Sequence, residues 1–176
     1  MKRVKFRFYI DHEHEEKWVN TMAETGWHLK KFWPFIYIFE QGNPSEFIYR
    51  NEMVIKRKKD YYEFLASMGV ECIHSFGVWA YFRKRREDGP FEIFSGKLEK
   101  IKYLARLNTL FLFAAVVNIL VLLNNIVLPL LHHEIHQEIL WASSLNVLII
   151  ALLYVEIQRN TKRKKKLQMH AHIFED

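Results

Sequence analysis

Histidine and acidic side chains are concentrated in two short stretches of the chain. The first, DHEHEE at residues 11–16, places His12 and Glu16 four residues apart, so both would lie on one face of a helix, as metal ligands often do. Acidic residues in a first helical turn are also favoured by the helix dipole alone, and no cysteine or second histidine pair stands nearby. We therefore expect no metal site here.

The second stretch, HHEIH at residues 132–136, contains three histidines. Its spacing differs from that of the HExxH zinc proteases, because Gln137 stands where the second histidine would be needed. A polar turn is the expected role, and metal binding or pH sensing is the alternative that the sequence leaves open.

Groups that could carry out catalysis are poorly represented. The chain contains no GxSxG, GxGxxG or GxxxxGK[ST] string. Its only cysteine, Cys72, falls on a predicted strand and is expected to be a small core residue. The neighbours His74 and Ser75 would point to opposite faces of that strand and could not act as a base and nucleophile pair. We expect a protein that is not an enzyme and that needs no cofactor.

Aromatic side chains are more numerous in the N-terminal half than one core face of a small domain requires. Two roles are open for them: ring-against-ring packing in the core, or an aromatic groove that binds a ligand or a partner helix. The predicted groove residues are Tyr37, Tyr49, Trp79 and Tyr81.

The elements that would position these residues occur in two copies within a predicted cytoplasmic domain, residues 1–95. An offset of 43 residues aligns Trp18 with Tyr61 and Gly26 with Gly69 without a gap. In the first copy, apolar residues alternate from Val4 through Phe6 and Phe8 to Ile10, which predicts a half-buried strand. A helix capped by Asp11 and ended by Gly26 follows, and then two strands, about 27–32 and 35–40.

The second copy repeats this β-α-β-β pattern. Its strand is predicted at 46–53, and its helix is predicted to start with a capping box at Asp60 and to end at Gly69. Strands at 70–75 and 78–85 complete it. The apolar face of this helix is predicted to consist of Tyr61, Phe64, Leu65 and Met68. The fold class is α+β, with two helices packed on one antiparallel sheet in a ferredoxin-like or a GyrI-like arrangement.

A membrane-spanning hairpin is predicted after this domain, because 52 residues without Lys or Arg separate Arg106 from Arg159. Apolar runs at 110–131 and 139–157 are each long enough to span a bilayer as a helix, and residues 132–138 form an external loop. A basic juxtamembrane helix, 96–109, and a basic tail, 158–176, flank the pair. This charge distribution predicts a multi-pass protein of the plasma or inner membrane with both termini in the cytoplasm.

Three amides in the spans, Asn124, Asn125 and Asn146, lie at a similar predicted depth and are expected to pair the two helices. Phe91, Ile93 and Phe94 are expected to form an apolar strap at the membrane interface. Basic clusters lie at 56–59, 83–86 and 162–166, and the membrane surface explains the last two, so no nucleic acid is expected as a partner. The expected partners are the lipid bilayer and either another membrane protein or a second copy of the chain.

Several strings of the sequence resemble those of a known group of proteins: GWHLKKF, NPSEFIYR, FGVWAYFRKR and GPFEIFS, followed by paired spans. The chain resembles an uncharacterised family of bacterial two-span membrane proteins, often encoded beside PadR-like regulators. The resemblance implies membrane-associated signalling or a stress response and supplies no catalytic residues. The expected function is a membrane-tethered, non-enzymatic sensor or interaction module. The alternative is an accessory or structural subunit of a membrane complex such as a transporter.

Overall fold

The structure is a computed structural model that describes residues 1–55, 59–94, 96–132 and 137–172. Its contacts divide the chain into two compact units, Met1–Ile93 and Phe94–Asp176.

The described residues of the first unit form six strands, two α-helices and a short 3-10 helix, Arg86–Asp88. Its strands form two separate three-stranded antiparallel sheets with the orders β1-β3-β2 and β4-β6-β5. The α+β class is thereby confirmed, and the single sheet that we expected is divided into two. The elements in chain order are β1 Lys2–Phe6, α1 His12–Glu24, β2 Trp27–Trp33, β3 Ile36–Gln41, β4 Phe47–Met53, α2 Lys59–Ser67, β5 Val70–Phe76 and β6 Trp79–Arg85.

The two halves share strand order, pairing register and irregularities, which confirms the duplication. Leu29 pairs with Phe39 in the first sheet, and the residues 43 positions later, Cys72 and Phe82, pair in the second. The register shifts between Leu29 and Lys31 in the first copy and between the equivalent residues, Cys72 and His74, in the second. A β-bulge at equivalent positions is a feature that chance similarity of sequence would not produce.

The first strand of each half follows a different offset. Lys2 pairs with Glu40, whereas the counterpart of Glu40, Arg83, pairs with Tyr49. Lys2 and Tyr49 are therefore equivalent although they lie 47 residues apart, four more than the rest of the repeat. The four extra residues of the first half lie between its first strand and the end of its helix. They include a longer helix, since α1 has 13 residues and α2 has nine.

The predicted helix ends are confirmed, with one exception. The Asp11 side chain accepts a hydrogen bond from the Glu13 N–H at 3.0 Å, as an N-cap residue does. Gly26 and Gly69 have φ angles of +80° and +74°, in the left-handed region that ends helices. The prediction for Asp60 is wrong, because α2 begins one residue earlier and places this carboxylate inside the first turn.

Two helices cover three of the four sheet faces. Val19 and Ala23 of α1 pack against the inner face of the first sheet and also against Tyr49 and Tyr81 of the second sheet. Leu65 of α2 packs on the opposite face of the second sheet, in a core with Ala80, Phe82 and Phe91. Among the described residues of this unit, no further α-helix covers the other side of the first sheet.

This arrangement corrects four predictions about buried residues. Val4, Phe6 and Phe8 are exposed rather than half-buried, because they lie on or beside the uncovered face of β1, and β1 ends at Phe6. Phe64 and Met68 are exposed because α2 turns Tyr61, Tyr62 and Leu65 toward its sheet instead. Cys72 is exposed on the edge strand β5. Phe91 is a core residue and not part of an interfacial strap.

The second unit consists of two paired helices, α3 Lys97–His132 and α4 Gln137–His172. Both contain stretches that are long and apolar enough to cross a membrane, and only 6% and 0% of these stretches is buried. Exposed apolar stretches of this kind are expected for lipid contact and not for the core of a soluble protein. The histidine-rich turn at 133–136 and the basic residues 56–58 lie outside the described residues.

The two helix-terminating glycines should differ in their tolerance of alanine. At both positions a side chain is strained by the positive φ, so we expect Gly69→Ala to lower the free energy of unfolding by about 1 kcal/mol. At Gly26 an added Cβ would also lie 2.9 Å from the Gly42 carbonyl oxygen, so Gly26→Ala should cost more. Urea unfolding of the full chain in detergent, followed by tryptophan fluorescence, measures both values. Gly69→Asn is the control, because asparagine tolerates this backbone conformation. Equal losses for the two alanine variants would contradict the expectation.

Candidate functional site

The four predicted groove residues all belong to the core around α1. Tyr37, Tyr49 and Tyr81 are almost fully buried, and Trp79 is partly buried. Trp18 of α1 meets the Tyr37 ring edge-on at 5.0 Å between centroids. The structure therefore brings these aromatics together beneath a helix. Ligand binding by them stays a prediction.

Two of these tyrosines converge on one carboxylate, that of Glu15 in the first turn of α1. The Tyr81 hydroxyl donates to Glu15 Oε1 at 2.8 Å, and Tyr37 donates a second bond to the same carboxylate. The Asn51 amide lies 3.5 Å from Glu15 Oε1. Since Tyr37 lies in the first half and Tyr81 and Asn51 in the second, Glu15 joins the two halves.

The electrostatics of this cluster favour neutral tyrosines and disfavour the Glu15 charge. Burial raises the pKa of Tyr37 and of Tyr81, and the nearby Glu15 carboxylate raises them further. Burial also raises the pKa of Glu15, and the hydrogen bonds from Tyr81 and Tyr37 partly offset this effect. The tyrosines thus remain hydrogen-bond donors at neutral pH.

The neighbouring carboxylate, Glu16, binds the first strand of the second half. Its Oε1 accepts from the Arg50 guanidinium at 3.1 Å, and its Oε2 accepts from the Asn51 backbone N–H at 2.9 Å. Arg50 also donates to the Phe91 carbonyl at 3.0 Å. The arginine therefore ties α1, β4 and the segment after β6 to one another.

A third contact between the halves is made by the Asn20 side chain. Its Oδ1 accepts from the Tyr49 N–H at 2.8 Å and its Nδ2 donates to the Tyr49 carbonyl at 2.9 Å. This is the pair of bonds that a neighbouring strand would make, and β4 is an edge strand. Asn20 thus closes the open edge of the second sheet at a fully buried residue.

The outer face of the first sheet, the side away from α1, carries exposed apolar residues along β1, whereas Ile36 and Ile38 of β3 are partly buried and His28 of β2 is buried. Phe6 is 74% exposed, Phe8 60% and Val4 55%. Directly paired residues on antiparallel strands share a face, so this outer face comprises three rows: Lys2, Glu40 and His28; Val4, Ile38 and Lys31; Phe6, Ile36 and Trp33.

Phe35 borders this outer face at the tip of the β2–β3 hairpin. Its φ of +69° follows Pro34, a combination that belongs to a type II turn, where glycine or asparagine is the favoured residue. The Phe35 ring is 49% exposed and its centroid lies 5.2 Å from that of Phe8. An aromatic residue thus occupies a strained position beside other exposed rings. Such strain at a surface position is found at functional sites.

In the helical hairpin, Asn125 and Asn146 are partly buried, whereas Asn124 is exposed. Pairing of the helices through these amides stays a prediction. Polar contacts are seen nearer the basic ends, where the Asn108 amide donates to the Thr161 hydroxyl at 3.1 Å. Buried Glu156 accepts from Arg159 at 2.8 Å in the same region.

The histidine and acidic side chains of the described residues are spread over the fold. Within these ranges, no three His, Cys, Asp or Glu side chains are grouped closely enough to hold a metal ion. Two carboxylates of DHEHEE, those of Glu15 and Glu16, join the two halves of the unit. Sequence reasoning missed the roles of Glu15, Glu16 and Asn20. The available signal was an acidic first turn in α1, a helix that is longer than its counterpart α2.

Phe35 was missed in the same way, although the Pro-Phe turn between two strands, in a position that usually carries glycine, was a visible signal.

These features define a duplicated α+β unit followed by two paired apolar helices. The chain belongs to a family described as "Protein of unknown function (DUF2812)", and the family's sequence pattern matches residues 11–116. That range includes most of the duplicated unit and the beginning of the first long helix. No curated protein and no solved structure is similar enough to the chain to count as a match. Proximity to PadR-like genes stays a prediction.

Removal of the Asn20 amide should weaken the first unit. In Asn20→Ala the buried Tyr49 N–H loses its acceptor, so we expect the free energy of unfolding to fall by about 1–3 kcal/mol. Thr21→Ala is the matched control on the same helix, because its exposed hydroxyl bonds only to the Lys17 carbonyl. That variant should stay within about 0.5 kcal/mol of the wild type. Similar urea midpoints for the two variants would show that Asn20 does not join the halves.

The Glu15 carboxylate should make stability depend on pH. Its pKa is raised in the folded state, so its contribution to stability is present below the pKa of the unfolded chain and is lost as pH rises through the folded value. Glu15→Gln keeps an acceptor for Tyr81 and removes the charge. This variant should therefore lose less stability than the wild type between mildly acidic and neutral pH. Thermal unfolding over this range measures the slopes. Exposed Glu24→Gln on the same helix should leave the wild-type slope unchanged. A Glu15→Gln slope equal to that of the wild type would contradict the assignment.

Proposed function

We propose that the protein is a membrane-anchored cytoplasmic interaction module that acts by binding and not by catalysis. In this proposal α3 and α4 span the membrane with both chain termini in the cytoplasm, and the first unit contacts its partner through the outer face of its first sheet. The observation that carries the proposal is the exposure of Val4, Phe6 and Phe8 on and beside that face. Apolar patches of this kind on a folded unit mark interaction sites.

The internal use of the polar residues supports binding over chemistry. Glu15, Glu16 and Asn20 are engaged in contacts between the halves, so these groups are not directed toward a substrate. Burial of Tyr37, Tyr49 and Tyr81 supports contact through the outer surface rather than within an aromatic groove.

The charge pattern supports the orientation. Lys and Arg are absent from the 52 residues between Arg106 and Arg159 and frequent on both flanks, as in proteins whose flanks remain in the cytoplasm. Free Cys72 on the first unit fits a reducing compartment.

Cysteine accessibility tests this proposal. In a Cys72→Ser background, Val4→Cys reports on the outer face, and Ser67→Cys on the exposed end of α2 is the matched control. We expect an impermeant maleimide to label the control in inside-out membrane vesicles but not in intact cells. In the same vesicles the Val4→Cys thiol should react several-fold more slowly than it does in detergent-solubilised protein, whereas the control should react equally in both.

Two results would contradict the proposal. Labelling of Ser67→Cys in intact cells would refute the orientation. Equal labelling of Val4→Cys in native membranes and in detergent would show that nothing covers the outer face.

A further inference from the structure

We infer that the partner of the outer face is the anionic surface of the bilayer in which the chain is anchored. This inference rests on the proposed function and names its partner. The first sheet would lie on the headgroups, with Phe6, Phe8 and Phe35 at the interface and lysines around them. Aromatic rings favour this region of a membrane, and lysines are attracted to anionic lipids.

The charges around the apolar patch identify an anionic partner. Lys2, Lys30 and Lys31 all border the outer face, and all three are exposed. The single acidic residue among the described residues of this face, Glu40, lies 3.3 Å from the Lys30 ammonium and directly opposite Lys2 in the strand register. Three lysines therefore outnumber one carboxylate beside the exposed rings, and an excess of cations next to apolar residues is the composition of interfacial membrane contacts.

The same charges disfavour a second copy of this chain. Two copies that met through their outer faces would bring together two surfaces that each carry three lysines and one glutamate. Pairing along the free β1 edges would place further cations opposite one another, since residues 2, 3, 5 and 7 are Lys, Arg, Lys and Arg. Like charges directly opposite one another destabilise strand pairing.

The anchor keeps the lipid surface close at all times. Sixteen residues, 94–109, separate the end of the first unit at Ile93 from the start of the predicted span at residue 110. A short tether of this kind makes contact with the bilayer an intramolecular event at high effective concentration. Weak attraction by a small excess of lysines and a few rings is then sufficient, as it would not be for a protein free in solution.

The strained turn supports a selected role for the Phe35 ring. A glycine or asparagine would suit a φ of +69° without strain, so the phenylalanine does not serve the stability of the turn. Its ring lies beside Phe8 and extends the apolar surface past the end of β1. Contact with lipid gives this residue a function that the fold does not require.

Reconstitution of the purified full chain separates lipid from protein partners. Val4→Cys in the Cys72→Ser background is labelled in vesicles of phosphatidylcholine alone and in vesicles of an equal mixture of phosphatidylcholine and phosphatidylglycerol. We expect slower labelling in the anionic vesicles, reversed by high salt because the attraction is electrostatic. The joint substitution of Lys2→Gln and Lys31→Gln should weaken the protection by roughly fivefold for each cation removed.

Phe35→Asn tests the ring without endangering the fold. Asparagine tolerates the positive φ, so this variant should unfold at an unchanged or higher urea concentration and yet lose protection of the Val4→Cys thiol in anionic vesicles. The control, Phe64→Gln, removes a ring from α2 that is also exposed and should leave the protection intact.

Each alternative outcome overturns the inference in a distinct way. Protection in native membranes but not in anionic vesicles would assign the outer face to a protein partner and would leave the proposed function standing. Equal protection in neutral and anionic vesicles would show that the lysines do not select the surface. Absence of protection in both vesicles and native membranes would remove the inference and the proposed function together.

Discussion

The first unit depends on the burial of carboxylates from α1 against donors of the second half. Glu15 and Glu16 are partly buried in the folded unit, and each would be costly to bury without hydroxyl, amide or guanidinium partners. Tyr81, Asn51 and Arg50 supply these partners, and they do so only when the two sheets are correctly placed around the helix. The polar contacts therefore specify how two similar halves fit together, while the apolar contacts of α1 supply most of the stabilisation.

This use of α1 explains why the duplicated unit is not symmetric. A helix that serves both sheets cannot also cover the outside of its own, and α2 is occupied by the far side of the second sheet. The face that remains uncovered carries Val4 and Phe6. The equivalent residues of the second sheet, Asn51 and Met53, are buried. Counterparts in the repeat thus diverge in role: Phe6 is exposed, whereas Met53, its equivalent in the strand register, is buried.

An uncovered apolar face suits a chain that is also anchored in a membrane. In a freely diffusing protein such a face would promote aggregation, and the cations along β1 are a known means of preventing edge-to-edge association. In the proposed arrangement, in which two apolar helices anchor the chain, the same cations and rings would face an anionic, partly apolar surface within reach. The proposed function and the lipid contact therefore follow from one asymmetry in the packing of α1.

Much of this architecture could be read from local signals in the sequence. Glycines at 26 and 69, the alternation of apolar residues in most strands and the offset of 43 predicted a duplicated β-α-β-β unit, because backbone conformation and periodicity are set by neighbouring residues. The two apolar runs predicted the helical hairpin for the same reason. Which face of β1 is buried could not be read in this way: the alternation of Val4, Phe6 and Phe8 predicted burial, and the structure exposes all three.

Sequence alone thus determined the order, type and repetition of the elements, since these depend on contacts between residues close in the chain. Only the tertiary structure decided that one helix would serve two sheets. That choice rests on contacts between residues far apart in sequence, such as Glu15 with Tyr81 and Asn20 with Tyr49. Those contacts turned the predicted groove tyrosines into core residues and left the outer face of the first sheet exposed.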